Sequence, residues 1–237
     1  VSPKKSSGGE VQRLGEVAKV VVLTRWSFHQ IRVLEGGLGT LRSAGDARQA
    51  TARLVTEVMS PVVLIVFVTF IVSVHSAGGV RGLALGLVAI FFAGALPYGF
   101  VLIGVRRGRL TDHHISVREQ RPQMMAIALG CVVVALLVLV WLDAPRALFA
   151  LMAAMVAGLA IALAITWFWK ISIHAAAAAG TVASLAILVS PWWLLLTPLV
   201  VLTGWARVAI RKHTTTQVLV GAIVGATVTA GVLWLVA

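Results

Sequence analysis

Acidic side chains are scarce in this sequence. Eight Asp and Glu residues stand against 20 Lys and Arg in 237 positions, and beyond Glu57 the only acids are Asp112, Glu119 and Asp143. A hard cation such as Mg²⁺ wants several carboxylate oxygens. The lack of an Asp-rich motif in the apolar segments argues against chemistry that runs through a metal–diphosphate complex, and neither a metal nor another cofactor is expected. Cysteine is nearly absent too: Cys131 is the single one, set inside an apolar run. That rules out a disulfide within the chain and any Cys-based metal site. Residues 1–10 (VSPKKSSGGE) lack the apolar core of a signal peptide.

Apolar residues dominate what is present. They fill 59% of the chain, and mean hydropathy is +0.99, above the usage of soluble domains. A membrane-spanning helix needs about 20 mostly apolar residues. Backbone groups in lipid must be satisfied internally, which leaves helices or closed barrels. The runs are continuous in Leu, Val, Ile and Ala rather than alternating, so helices are expected. Turn-forming breaks at Gly78-Gly79, Asp143-Ala144-Pro145 and Ser190-Pro191 separate them. The expected spans are 60–77, 83–105, 123–142, 147–169, 171–189, 191–209 and 215–236. Residues 11–58 interleave Leu and Val with Arg and Lys and read as one or two amphipathic segments on the membrane surface, with a helix packed against the bundle as the alternative. Asp46 is a candidate N-cap for a helix running to Met59. The expected fold is therefore all-α: a polytopic transmembrane helix bundle of about seven spans over residues 59–237. It follows a polar tail and an N-terminal amphipathic helical segment over residues 1–58.

The formal charge of +12 would suit nucleic acid, but the basic residues flank apolar runs. Nine Lys and Arg lie in residues 1–58, with Arg106, Arg107, Arg109, Arg118 and Arg121 next, and Lys170, Arg207, Arg211 and Lys212 on the same side if seven spans hold; only Arg81 and Arg146 lie opposite. By the positive-inside rule the expected partner is membrane lipid rather than nucleic acid. The same rule puts the chain in the cell membrane with a cytoplasmic N-terminus and an outside C-terminus. Oligomeric state is not legible.

Polar residues recur in three clusters: 106–122 (RRGRLTDHHISVREQRP), 170–174 (KISIH) and 205–217 (WARVAIRKHTTTQ). Two expected spans separate each from the next, so all three return to one face. Ionisable groups at a membrane boundary are costly and are functional candidates by default. Guanidinium groups match phosphate oxygens and keep their charge when buried. Histidines beside them are able to divide nucleophilic and general-acid work. A cationic, His-rich, acid-poor site at the lipid boundary suits an anionic phosphate head group. The alternative for Arg121 and Arg207 is a snorkelling anchor. For His174 and His213 it is a polar helix end meeting head groups, and for Lys170, beside Trp169, an interface anchor.

The clusters read His114-x6-Arg121-Pro122, then Ile171-Ser172-Ile173-His174, then Ala206-Arg207-x5-His213-x3-Gln217. In order and spacing this resembles the type-2 phosphatidic acid phosphatases, with their Lys-x6-Arg-Pro, Pro-Ser-Gly-His and Ser-Arg-x5-His-x3-Asp motifs, and most of all the actinobacterial integral-membrane members. The resemblance covers roughly residues 100–237. It implies a metal-independent phosphatase acting on a lipid phosphate or an isoprenoid (di)phosphate; the charge count, not the resemblance, puts that site at the cytoplasmic face. His213 would be the nucleophile and His174 the general acid, with Gln217 orienting His213. The phosphate would be held by Arg121 and Arg207, with His114, Ser172 and Lys170 adding contacts.

Five positions depart from the pattern. His114 replaces a Lys, Ile171 and Ile173 replace Pro and Gly, Ala206 replaces a Ser, and Gln217 stands where the family has Asp. A neutral amide orients an imidazole without stabilising its cation. Two alternatives therefore accompany the phosphatase reading. One is a prenyl-diphosphate-processing enzyme of the same fold with altered chemistry, and the other is a non-catalytic anionic-lipid-binding membrane protein.

Overall fold

The computed structural model describes residues 44–111, 117 and 120–237. Contacts divide the chain into two units, Val1–Ala47 and Arg48–Ala237; the first contributes only the opening residues of α1, and the apolar helices belong to the second. All regular structure among the described residues is helical. In chain order these are α1 (Ala44–Val58), α2 (Pro61–Ala77), α3 (Gly79–Ile90), α4 (Leu96–Arg106), α5 (Arg121–Trp141), α6 (Arg146–Phe168), α7 (Ile173–Leu188), α8 (Thr197–Ala209) and α9 (Thr215–Val236). A π-helical turn, Phe91–Ala95, joins α3 to α4, and a 3₁₀ turn, Pro191–Leu196, leads into α8.

The helix starts follow from local chemistry. Pro61, Pro122 and Pro198 sit in the first turns of α2, α5 and α8, where a missing N–H costs nothing. Pro97 follows the π turn, which absorbs the break within one apolar segment. Thr214 and Gln217 form a reciprocal capping box on α9.

Several apolar helices are of membrane-spanning length. Among the described residues five segments qualify by length and composition: Gly79–Arg106, Arg121–Trp141, Arg146–Phe168, Pro191–Ala209 and Thr215–Val236. A sixth qualifies if α1 and α2, bent by 44° at Met59–Ser60, count as one. The expected span at 171–189 is α7, only 16 residues long. It is short because Ile171 and the extended Ser172 stand outside the helix and spend backbone groups elsewhere: the Ile171 carbonyl accepts from Arg121, and the Ser172 N–H donates to the Gln217 carbonyl at 3.2 Å. Of the expected amphipathic segment, α1 alone is described; the remainder of residues 1–58, and His114, lie outside the described residues.

Two ends of the bundle are chemically distinct. At one, Arg81 reaches the Asp143 carbonyl at 2.7 Å and Arg146 reaches the Val236 carbonyl at 2.6 Å. The other gathers the starts of α5, α7 and α9 with the end of α8. Between them the core is Leu, Val, Ala and Met from α2, α3, α5, α6 and α7, including Val68, Val72, Leu139, Leu148, Leu151 and Leu185.

The closest helix pairing is α7 against α9, and glycine makes it possible. A Cβ on Gly221 would stand 2.5 Å from the Ser172 carbonyl oxygen, and one on Gly225 would overlap the Ala176 backbone. Small residues let helices approach in an apolar medium, where packing drives association. That approach sets α7 and α9 side by side directly beneath the polar end.

Candidate functional site

Three chain segments build the polar end. The first is the turn from α8 to α9. After Ala209 the chain passes through Arg211 in the left-handed region, φ 55°. The Lys212 and His213 N–H groups then fold back onto the Arg207 carbonyl at 3.1 and 3.3 Å. A left-handed non-glycine residue costs about 1–2 kcal/mol, and the helix-ending bonds offset it. The turn leaves His213 beside Arg207, and both are buried.

The second segment is the non-helical Lys170–Ser172 stretch. Ser172 is fully buried and caps α7, its Oγ accepting from the Ala175 N–H at 3.5 Å. The cap orients the start of α7 so that His174, also buried, faces the same region. The third segment is the start of α5, where Gln120 accepts from Thr111 at 3.2 Å. Buried Arg121 there donates to the Ile171 carbonyl at 3.3 Å.

The geometry around Gln217 determines the state of His213. Gln217 Oε1 lies 3.3 Å from the Thr214 N–H and 3.0 Å from His213 Nδ1. A backbone N–H only donates, so the amide oxygen, not its nitrogen, occupies this position. Nδ1 must then carry the proton, which leaves a lone pair on Nε2. Burial pushes the His213 pKa down to about 3, with the positive fields of Arg207, Arg121 and Lys170 adding to it and the Gln217 hydrogen bond opposing it. At neutral pH the ring is uncharged, with a nucleophilic nitrogen free. Lys170 is likewise pushed down, first by burial, then by Arg121, Arg207 and Lys212. The cations of all three clusters therefore act on one small region.

A cavity of about 500 Å³ opens there. Arg121, His174 and His213 line its polar part, and Glu57 from α1 also contributes. The rest of the wall is largely apolar and comes from α2, the π turn, α4, α5, α6, α7 and α9, with Ile65, Val68, Val132, Leu151, Met155 and Leu159 among its residues. Binding cavities of this size are mostly apolar with a few convergent polar groups. A charged end and a hydrocarbon-like interior fit an amphiphile carrying an anionic head.

The sequence-expected residues divide into two sets. Arg121, His174 and His213 form the wall itself. Arg207, Gln217, Ser172 and Lys170 stand outside the described lining, where Gln217 orients His213 and Ser172 caps α7. Arg207 holds the turn through its carbonyl and adds positive field. Among the described residues no three His, Cys, Asp or Glu side chains gather as metal ligands would. Sequence reasoning missed Glu57, although an acid next to the first apolar run of an acid-poor chain was a usable signal. It also missed Thr181, Ser184 and Thr229, which line the cavity away from the polar clusters. For the first two the signal was the spacing of seven and ten residues from His174.

No protein-family model matches the chain, and no curated protein or solved structure does so either.

Proposed function

We propose that this chain is a metal-independent membrane phosphohydrolase acting on a lipid phosphate or isoprenoid (di)phosphate. The observation that carries the reading is His213: buried, neutral, held with Nε2 free, and facing a cavity that is cationic at one end and apolar beyond. Nε2 attacks phosphorus as the P–O bond to the leaving group breaks. His174 gives that oxygen its proton, leaving a phosphohistidine. Water, deprotonated by His174, then displaces His213 and releases phosphate. Arg121 and Arg207 stabilise the charge spread over the equatorial oxygens. Entry of a phosphate dianion offsets the cationic field and raises the proton affinity of the imidazoles as the reaction needs it.

In this proposal the bundle crosses the cell membrane seven times. The bent α1–α2 pair would act as one crossing, and α7 would be completed by its flanking residues. The polar end faces the cytoplasm. Supporting that side, Arg106, Arg107, Arg109 and Arg211 are exposed next to the clusters, as the positive-inside rule requires.

Gln217 favours one second reading. An enzyme that processes prenyl diphosphates without hydrolysing them would retain the anion pocket and the apolar cavity yet have no need of a carboxylate behind His213. The test is inorganic phosphate release by purified protein with EDTA present, on phosphatidate, farnesyl diphosphate and a polyprenyl diphosphate. Release that disappears in His213→Ala supports the hydrolase. Altered prenyl products without free phosphate would favour the second reading, and binding without turnover would leave a lipid-binding protein.

A further inference from the structure

The part of the cavity away from the polar end carries three hydroxyls that the proposed phosphate chemistry does not use. Thr181, Ser184 and Thr229 are 7%, 3% and 8% exposed, and all three line the cavity. Elsewhere in the bundle hydroxyls bond back onto the preceding turn, as Thr166 does to Ala162, Thr203 to Leu199 and Thr227 to Ile223. The side-chain hydroxyls of Thr181, Ser184 and Thr229, within these same helices, make no such bond to any described residue. Unlike Thr56 and Thr69, whose fully enclosed hydroxyls also lack a bond, these three sit on the wall of an open space. Thr229 Oγ1 lies over Gly180, 3.0 Å from where a Cβ there would stand, so the missing side chain makes room for it.

Their position is defined relative to the polar end. Thr181 and Ser184 follow His174 by seven and ten residues on α7, which at 1.5 Å per residue places them about 10–15 Å further along. Thr229 comes from α9 at the level of Gly180. Between the two polar zones the wall is Ala, Met and Leu, including Met124, Met125, Ala128, Ala177, Leu159 and Ala162. Three hydroxyls left to face a plain hydrocarbon chain carry a desolvation cost without return.

We propose that Thr181, Ser184 and Thr229 form a second subsite, which recognises an oxygen-bearing group within the ligand's chain about 10–15 Å from the phosphate. The fitting ligand is a lipid phosphate whose tail carries a carbonyl or hydroxyl oxygen at that depth, after an apolar stretch. A bare isoprenoid or alkyl chain is the poorer fit. The proposal rests on the reading of the polar end as a phosphate site and narrows its substrate class. The hydroxyls act as specificity-determining groups and take no part in bond making.

Binding, not turnover, tests it. The probes are a long-chain alkyl phosphate and the same molecule with a mid-chain keto group, titrated into full-length His213→Ala protein in nanodiscs. One neutral hydrogen bond corresponds to about a three- to tenfold preference, so the keto ligand binds at least that much tighter. A Thr181→Val, Ser184→Ala, Thr229→Val variant in the same background reverses the order: it loses affinity for the keto ligand and gains it for the plain chain. A misfolded variant would lose both, so the gain is the diagnostic readout, and retention of the keto preference by a variant that still binds overturns the proposal. Equal binding of the two ligands by the parent protein also overturns it, and leaves phosphate release from the wild type to judge the hydrolase reading on its own. A keto preference in a protein that releases no phosphate would uphold the subsite while removing the hydrolase reading.

Discussion

His213 Nδ1 and Gln217 Oε1 are 3.0 Å apart, and the same oxygen also faces the Thr214 N–H. The capping box that starts α9 thus also selects the tautomer of the proposed nucleophile. A carboxylate at position 217 would have added charge stabilisation for an imidazolium. The amide supplies orientation alone, and His213 stays neutral.

The pH dependence follows from this state. With the His213 pKa pushed down to about 3, the proposed phosphate release loses its nucleophile only as pH approaches that value. Gln217→Asp places a negative charge beside the ring and raises its pKa, so the acid limb of kcat/KM moves toward neutral pH. Initial-rate profiles of both proteins check this, and superimposable acid limbs would refute the role given to Gln217.

Stability carries the same sign. In the unfolded chain His213 titrates near 6.5 and in the folded one near 3. As pH falls through this window the unfolded state binds the proton first, and the folded state loses stability. Detergent-solubilised protein is expected to melt lower at pH 4 than at pH 7. His213→Gln should show a smaller drop, as measured by thermal unfolding of the two side by side.

Arg121 and Arg207 are expected to separate binding from fold. Arg121→Lys keeps charge but loses the planar fork and should lower kcat/KM by about 10²-fold, the scale seen when one transition-state donor is removed. Arg207 is 1% exposed, so Arg207→Met should lower both activity and melting temperature. Unchanged turnover in Arg121→Lys would remove Arg121 from the phosphate site.

The α7–α9 approach depends on glycine. Gly221→Ala sets a methyl 2.5 Å from the Ser172 carbonyl, and overpacking of this kind costs about 1–3 kcal/mol. Gly231, with nothing within 4 Å, is the control, and Gly231→Ala should be neutral. Melting temperatures of the two variants in one detergent decide the matter.

Orientation is measurable by cysteine labelling in intact cells after Cys131→Ala. Arg81→Cys should react with an impermeant maleimide, and Arg109→Cys only after lysis. The reverse pattern would turn the proposed site outward.

Much of the fold was legible because a bilayer imposes one dominant constraint. Continuous Leu, Val, Ile and Ala runs bounded by Gly78-Gly79, Asp143-Ala144-Pro145 and Ser190-Pro191 have few alternatives to helix, and the helices lie close to the expected ranges. The count of crossings was less legible. Hydropathy does not register that Ile171 and Ser172 lie outside the helix, bonded sideways to Arg121 and Gln217, which shortens α7. That Arg121, His174 and His213 would meet at one end, where they line the cavity, was readable because costly polar groups recurred at even numbers of expected spans.

The sequence by itself determined a helical, membrane-compatible chain with its positive charge gathered in a few clusters, because those properties follow from composition and local periodicity. Only the tertiary structure decided which polar groups face the cavity and which stand behind it. It placed Ser172 in a helix cap, gave Gln217 the oxygen-in orientation that sets the His213 tautomer, and brought Glu57, Thr181, Ser184 and Thr229 onto the cavity wall. These depend on how closely α7 and α9 approach and on the turn through Arg211, and such distances between segments far apart in the chain leave no local pattern to read.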